Sequence, residues 1–282
     1  MTSDTTVERQ IHPFVKWAGG KRQLLGEIQA RMPESYGDYY EPFVGGGAVF
    51  FGLSPRTATI NDINTSLINA YCQIRDNPYS VMEQLDVLDG GQNDSGDPKA
   101  YYYDVRDRYN ARIVSDVYDV ETAALFIYIN KHCFNGLYRV NAKGGFNVPY
   151  NNSKQASYTA ENIIGLSQVL AGATITNGDF ESTCADAKAG DFIFFDSPYA
   201  PLKADTFEAY TKEGFSREEH IRLSRLFREL TERGCNCMLT NHNTSFIREL
   251  YDGFSIDVVA VRRSINSDAS KRTGTEVIIT NY

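Results

Sequence analysis

The chain has 282 residues, 42% of them hydrophobic, enough for one large α/β domain or for a core domain carrying a substantial insertion. No apolar run approaches the ~18–20 residues of a membrane span, and Met1–Gln10 is polar where a signal peptide would be apolar, so a membrane partner and secretion are not expected. The net charge of −8 speaks against a uniformly basic nucleic-acid binder, and the five scattered cysteines, of which only Cys235 and Cys237 are close, offer no zinc site and read as free buried thiols in a reducing cytoplasm.

In chain order, Tyr39–Phe43 runs into Val44-Gly45-Gly46-Gly47 and the apolar Ala48–Leu53, the pattern of a strand, a glycine turn and a helix. Ala58–Asn61 is a second strand ending at Asp62, and Thr65–Arg75 a helix with Leu67, Ile68 and Tyr71 at helical spacing. Asp89–Pro98, rich in Gly, Asp, Asn and Ser, is expected to be a loop or linker. Tyr101–Arg112, Val120–Lys131 and Ala160–Leu170 are expected helices, and Asn135–Asn152 an ordered loop or hairpin, because aromatic and apolar residues run through it. Ala173–Asn177 is a strand leading into Gly178-Asp179-Phe180, and Asp191–Phe195 a buried parallel strand ending at Asp196. Arg217–Arg233 is an amphipathic helix, Cys237–Thr240 a strand, Thr244–Tyr251 a helix, and Phe254–Val261 and Glu276–Thr280 the last strands. The alternation predicts an α/β fold with a mostly parallel sheet and helices on both faces. Nothing from about residue 65 to 160 reads as a strand of that sheet, so a mostly helical domain, 65–156, is expected to interrupt a core of residues 1–64 and 157–282.

Charge is unevenly spread. Arg9–Leu25 carries Arg9, Lys16, Lys21 and Arg22 without an acid; Asn130–Gln155 carries Lys131, Arg139, Lys143 and Lys154, again without one; Val258–Thr275 carries Arg262, Arg263, Lys271 and Arg272 against Asp268 alone. Such islands suit a localised polyanion-binding face, although each by itself also fits chance clustering on solvated loops.

Two features carry chemistry. The glycine loop closes a strand and opens a helix, where backbone can approach a ligand; Asp62, at the end of the next strand, can accept hydrogen bonds from a ribose diol. The loop alone equally fits an ordinary tight turn. Asp196-Ser197-Pro198-Tyr199 follows the most apolar strand. The adenine amine is a poor nucleophile, because its lone pair is delocalised into the ring. Acceptors at Asp196 and the Ser197 carbonyl would localise that pair, the Pro198 turn holds them, and Tyr199 offers a face to a base taken out of the duplex. The tetrapeptide alone also fits a turn closed by an Asx hydrogen bond. None of the nine prolines precedes a cysteine, so the nucleophile of cytosine-ring methylation is missing, and the four histidines show no metal spacing.

Taken together, the motifs resemble the Dam-type DNA adenine methyltransferases, the α group of amino-methyltransferases. They are Phe14-Val15-Lys16-Trp17-Ala18-Gly19-Gly20-Lys21, Glu41-Pro42-Phe43-Val44-Gly45-Gly46-Gly47, Asn61-Asp62-Ile63-Asn64, Asn135-Gly136-Leu137-Tyr138-Arg139, Gly145-Phe146-Asn147-Val148-Pro149, Asp196-Ser197-Pro198-Tyr199, Asn241-His242 and Arg262-Arg263-Ser264-Ile265, in family order. The resemblance implies a Rossmann-like methyltransferase sheet with an inserted DNA-recognition domain, transfer of methyl from S-adenosylmethionine (leaving S-adenosylhomocysteine) to N6 of a flipped adenine in double-stranded DNA, and the target GATC. It implies cofactor contacts at Trp17, Lys21, Phe43, Gly45, Gly47, Asp62, Asp179, Phe180 and Asp196. It implies DNA contacts at Lys16, Lys131, Asn135, Leu137, Arg139, Asn141, Lys143, Asn147 and Pro149, with Arg139 suited to guanine and Lys131, Lys143 and Lys154 to phosphates. A bacterial, archaeal or phage-encoded cytoplasmic protein is implied, monomeric or dimerising on DNA, with a restriction endonuclease as a conceivable companion. The chain departs from the family at Ser197, where a second proline is usual, and after Pro149, where relatives carry more basic or aromatic residues. Methylation of another planar amine (cytosine N4, an RNA base, a protein glutamine) and a DNA-binding protein without turnover are the alternatives.

Overall fold

The computed structural model describes residues 11–17, 19–202, 215–262 and 273–282, with Arg22, Arg262 and Thr273 as backbone only. Met1–Gln10, Ala18, Arg263, Ser264, Ile265, Asp268, Lys271 and Arg272, which entered the motifs and basic islands above, lie outside the described residues. Two compact units make up the chain: a sheet unit of Gly19–Val44, Pro55–Asn64 and Ala173–Tyr282, and a helical unit of Met1–Ala18, Gly45–Ser54 and Thr65–Gly172. The helical unit thus extends past residues 65–156 on both sides.

In the sheet unit, β1 (Tyr39–Glu41), β2 (Ala58–Asp62), β3 (Ala173–Asn177), β4 (Phe192–Phe195), β5 (Asn236–His242), β6 (Ser255–Arg262) and β7 (Thr273–Thr280) form one sheet in the order β3-β2-β1-β4-β5-β7-β6. Strands β1 to β5 are parallel, and β7 runs antiparallel between β5 and β6. The order reverses at β1, which pairs with β2 on one edge and β4 on the other; in open α/β sheets, such a switch point is where ligands bind, outside the carboxyl ends of the strands. Every residue of β4 is buried, as its Phe-Ile-Phe-Phe sequence requires.

Three short helices, α1 (Leu25–Gln29), α8 (Phe180–Thr183) and α10 (Ser245–Leu250), and one long one, α9 (Arg217–Glu232), belong to the same unit. The apolar stripe of α9 (Leu223, Leu226, Phe227, Leu230) packs in one core with Ile193, Phe195, Leu239, Val277 and Ile279. Ser216 starts the helix by accepting a hydrogen bond from Glu219 N at 3.2 Å, and Glu218 and Glu219 complement the dipole there.

The helical unit contains α2 (Ala48–Leu53), α3 (Thr65–Asp76), α4 (Pro78–Asp94), α5 (Pro98–Val114), α6 (Val120–His132) and α7 (Ala160–Leu170). Helix α6 is buried without interruption from Thr122 to Asn130, which its Ala-Ala-Leu-Phe-Ile-Tyr-Ile run permits, and α3, α4 and α5 pack around it. The expected loop at Asp89–Pro98 is corrected: α4 continues to Asp94. Its polar and glycine residues are used inside the helix. A Cβ on Gly91 would lie 2.3 Å from the Tyr101 hydroxyl, Gln92 Nε2 donates to Ser153 O at 3.0 Å while its Oε1 accepts from the Tyr128 hydroxyl, and Asp89 accepts from Ser157 N at 2.8 Å. Tertiary contacts here override a composition that favours a loop.

After α6 the chain forms a short hairpin. Isolated antiparallel bridges join Cys133 to Tyr150 and Val140 to Phe146, and Asn110 grips Phe146 at both its N–H (2.8 Å) and its carbonyl (3.0 Å). Phe146 and Val148 are buried, so the opposite face of the hairpin is left to solvent. No described helix is long and apolar enough to cross a membrane.

Candidate active site

Asp196 leaves the carboxyl end of β4, beside β1 at the switch point. Lys21 Nζ lies 2.7 Å from Asp196 Oδ1, and Thr240 Oγ1, on the neighbouring β5, donates to the same oxygen at 3.0 Å. Burial holds the Asp196 carboxyl above the ordinary carboxylate range; the Lys21 charge and the hydrogen bonds from Lys21 and Thr240 pull the other way, and the charge of Glu276 adds to the rise. The remaining oxygen, Oδ2, is the acceptor the site can turn toward a ligand.

Tyr199 follows on the same turn. Its hydroxyl donates to Glu276 Oε2 at 2.8 Å, Lys21 Nζ stands 4.5 Å from its ring centre, and the His242 ring meets it at 4.9 Å in a perpendicular contact. Burial, with the Asp196 and Glu276 charges, pushes the phenol well above its usual range, so it stays a neutral donor. The turn is fastened from β5: Asn241 Oδ1 accepts from Ala200 N at 2.9 Å, and His242 Nδ1 sits 2.8 Å from the Ala200 carbonyl, which can only accept, so this nitrogen carries the proton. Ser197 is buried at 1% exposure. The structure therefore brings Lys21, Asp196 and Tyr199 together and adds Thr240, Asn241, His242 and Glu276, to which sequence reasoning assigned no role. For Asn241 and His242 the motif was a signal; for Glu276 the only signal is an acid opening the apolar run Val277–Ile279.

The carboxyl ends of β1, β2 and β3 hold a second group. Asn61 clamps them, with Nδ2 donating to Pro42 O (3.1 Å) and Gly178 O (2.9 Å) and Oδ1 accepting from Thr176 Oγ1 at 2.9 Å. Asp62 Oδ1 accepts from Asn64 N at 2.9 Å, and beside it Ile63 is 76% exposed, an apolar side chain at the crevice that sequence reasoning passed over. Asp179 caps α8 through Glu181 N at 2.9 Å and pairs with Arg222, whose guanidinium carbon stands 4.2 Å from the centre of the Phe180 ring. Phe180 in turn packs on Phe43 at 5.2 Å. Among the described residues no cluster of His, Cys, Asp and Glu suits a metal.

Gly45–Gly47 and the segments expected to read DNA lie in the helical unit. Gly45 (φ +48°) and Gly47 (φ +73°) adopt left-handed backbone. Added Cβ atoms would meet Trp17 Cδ1 at 2.8 Å from Gly45 and the Tyr71 hydroxyl at 2.5 Å from Gly47. Trp17 stacks on Tyr138 at 5.4 Å, between Leu137 and Arg139 of the hairpin. Asn130, fully buried, accepts from Lys16 N at 2.8 Å and donates to Lys16 O (3.0 Å) and Gly136 O (3.2 Å), fixing two of the expected DNA segments against each other. Asn135, Leu137, Arg139, Asn141, Lys143 and Pro149 are exposed on this hairpin, and so is Phe134 at 52%, an aromatic outside the expected set. Arg139 Nε donates to Asn147 Oδ1 across the hairpin at 2.7 Å, and Asn141 Oδ1 closes the tip by accepting from Lys143 N at 2.9 Å. Lys131 sits at the end of α6, half-buried.

A family model for the D12 class of N6 adenine-specific DNA methyltransferases matches residues 17–265. The chain is 42% identical over 277 residues to the type II methyltransferase M1.LlaDCHI of Lactococcus lactis subsp. cremoris, covering 96% of each. It is 39% identical over 289 residues to the type II methyltransferase M.MjaIII of Methanocaldococcus jannaschii, covering 97% of this chain and 100% of the relative. With the DNA adenine methylase of Vibrio cholerae it shares 32% identity over 268 residues, 94% of each.

Proposed function

Because the chain belongs to the D12 class of N6 adenine-specific DNA methyltransferases, we propose that Asp196, Ser197, Pro198 and Tyr199, with Lys21, form its methyl-transfer centre, and that it acts on a flipped adenine within GATC. The class fixes the coarser statement: an enzyme whose substrate is DNA and whose methyl donor is S-adenosylmethionine. The observation that carries the site assignment is the Asp196 carboxylate at the carboxyl end of β4, held at one oxygen by Lys21 and Thr240 and flanked by the Tyr199 ring.

S-adenosylmethionine, when bound, presents a methyl group on a sulfonium, an electrophile that needs no further activation. The protein therefore has to improve and aim the nucleophile. Asp196 Oδ2 and the Ser197 carbonyl accept the two amine hydrogens, which localises the lone pair on N6. Tyr199 holds the base plane by stacking. Transfer to N6 would break the sulfonium–methyl bond and release the neutral thioether S-adenosylhomocysteine; the Asp196 carboxylate takes the surplus proton from the methylated amine and passes it to solvent, and its raised affinity for protons suits that task.

We assign cofactor contacts to Phe43, Asp62, Asp179 and Phe180, with Ile63 as an added apolar face, and to Trp17, Gly45 and Gly47 in the helical unit. Asp62 is a ribose ligand by charge and place. The exposed hairpin residues Asn135, Leu137, Arg139 and Pro149, with the half-buried Asn147, supply base readout, Lys16, Lys131, Lys143 and Lys154 supply phosphate contacts, and Phe134 is an apolar wedge for the vacated stack. The type II names of two relatives favour a place beside a restriction endonuclease of the same specificity. The reading places the chain in the cytoplasm, as a monomer or as a dimer formed on DNA. The test is transfer of labelled methyl from S-adenosylmethionine to plasmid DNA with mapping of the modified adenines. Methylation confined to GATC supports the whole reading, adenine methylation elsewhere removes the GATC assignment, and full activity of Asp196→Ala overturns the site.

A further inference from the structure

Glu276 lies on β7, where the strand register sets it opposite His242 of β5 on one side and Val259 of β6 on the other. Its Oε2 accepts the hydrogen bond of the Tyr199 hydroxyl at 2.8 Å. Tyr199 stands on a turn that carries no helix or strand of its own, so the orientation of its ring depends on side-chain contacts. They include the Lys21 ammonium near the ring centre, the perpendicular His242 ring, and Glu276 and Thr240 at the hydroxyl end. Glu276 is the charged acceptor of the hydroxyl, which Thr240 also meets as a side-chain hydrogen-bond partner; the hydroxyl is the point farthest from the backbone and so the one with the most leverage on the swing of the ring about the Cα–Cβ bond. A carboxylate acceptor makes a stronger and shorter bond than a neutral oxygen would.

We propose that Glu276 is a positioning residue of methyl transfer: through the Tyr199 hydroxyl it locks the ring that holds the reactive base. This rests on the reading of Asp196–Tyr199 as the transfer centre. Glu276 touches neither the base nor the methyl donor; it acts on the geometry of attack and leaves the binding of either substrate alone. Misplacement of a reacting group by about an ångström lowers a rate on the order of 100-fold, and a ring free to rotate about its side-chain torsions permits that much.

The experiment is a double-mutant cycle on the full chain, read by single-turnover methyl transfer at saturating S-adenosylmethionine and duplex DNA, with equilibrium binding of both measured in parallel. Glu276→Ala is expected to slow the transfer step about 10- to 100-fold while both binding constants stay within about twofold. Tyr199→Phe, which keeps the ring and removes its hydroxyl, should slow it to a similar degree, and the double variant should be no slower than Tyr199→Phe alone. Glu276→Gln, which keeps an acceptor, should recover most of the rate and guards against a folding defect in the alanine variant. Unchanged transfer in Glu276→Ala overturns the proposal, as does a further loss when Glu276→Ala is added to Tyr199→Phe, or a Glu276→Gln rate as low as that of Glu276→Ala. Wild-type transfer by Tyr199→Ala would instead overturn the transfer-centre reading itself.

Discussion

Lys21 and Asp196 form a close ion pair, 2.7 Å apart, between a lysine 6% exposed and an aspartate 19% exposed. Burial, with a smaller push from the Glu276 charge, raises the Asp196 carboxyl, and Lys21 restrains that rise. Replacing Lys21 by Gln should therefore push the carboxyl further up and leave a buried charge without its partner, a loss of about 3 kcal/mol in stability near neutral pH. The sign follows from the direction of the shift: a carboxyl raised in the folded state binds protons there more readily than in the unfolded chain. The folded protein is thus favoured below the ordinary carboxylate range and loses that contribution as pH rises through the raised value. Urea unfolding of Lys21→Gln should show a larger deficit at about pH 8 than at about pH 5, and its transfer activity, which in the proposed centre uses the carboxylate, should fall off at higher pH than the parent's as the solution is acidified. Equal deficits at both pH values would contradict this role for the pair.

Adjacent glycines in α4 should respond to alanine with opposite signs. Around Gly90 nothing lies within 4 Å of an added Cβ, so Gly90→Ala gains helix propensity without a clash and should stabilise the protein by about 0.5–1 kcal/mol. At Gly91 the new methyl would lie 2.3 Å from the Tyr101 hydroxyl and 2.6 Å from the ring carbon bearing it. Tyr101, whose ring packs on Tyr128 at 6.2 Å, must shift, and Gly91→Ala should destabilise by about 1–3 kcal/mol. Denaturant midpoints of the two variants decide the matter; the same sign for both would contradict the packing described here.

The same pair of glycines shows where sequence reading stops. Strand β4 and helix α9 were legible because their signals are local: four consecutive buried apolar residues in one case, a 3.6-residue apolar stripe behind a serine cap in the other. The end of α4 was not, because what makes Asp89, Gly91 and Gln92 helical lies in Tyr101, Tyr128, Ser153 and Ser157, outside the local window. The candidate site divides in the same way. Asp196 and Tyr199 sit in one recognisable tetrapeptide, and Asp62 follows a strand. Thr240 and Glu276 reach Asp196 and Tyr199 only through the pairing of β4 with β5 and of β5 with β7, an order no local pattern encodes.

Gly45 links backbone conformation to an aromatic signal that can be followed. It combines a left-handed φ of +48° with a Cβ position 2.8 Å from Trp17 Cδ1. Gly45→Ala should cost about 1–3 kcal/mol and displace the indole from its stack on Tyr138. Trp17 is the single tryptophan, so its emission should shift in the folded state while the far-ultraviolet circular dichroism is retained. An unchanged spectrum together with parental stability would show that the loop accepts a side chain there.

Arg139 and Lys143 occupy one hairpin but should fail in different ways. Arg139 is exposed, and its Nε bond to Asn147 Oδ1 at 2.7 Å orients the planar guanidinium, a group shaped for the paired acceptors on a guanine edge. Lys143 lies at the exposed tip, where the Asn141 side chain fixes its backbone and leaves the ammonium as a mobile point charge. Arg139→Ala should cost about 1–3 kcal/mol on the preferred site and less on sites altered at one base pair, so that discrimination at that pair collapses. Asn147→Ala, which removes the Nε bond and leaves only the bond to the backbone carbonyl of residue 147, should relax the same pair more weakly. Lys143→Ala should weaken all duplexes alike and lower the slope of log affinity against log salt by about one. Methylation rates on a panel of singly substituted duplexes, with binding measured across a salt series, separate these outcomes; uniform weakening by Arg139→Ala would make it a phosphate contact and move the base readout to other residues of the hairpin.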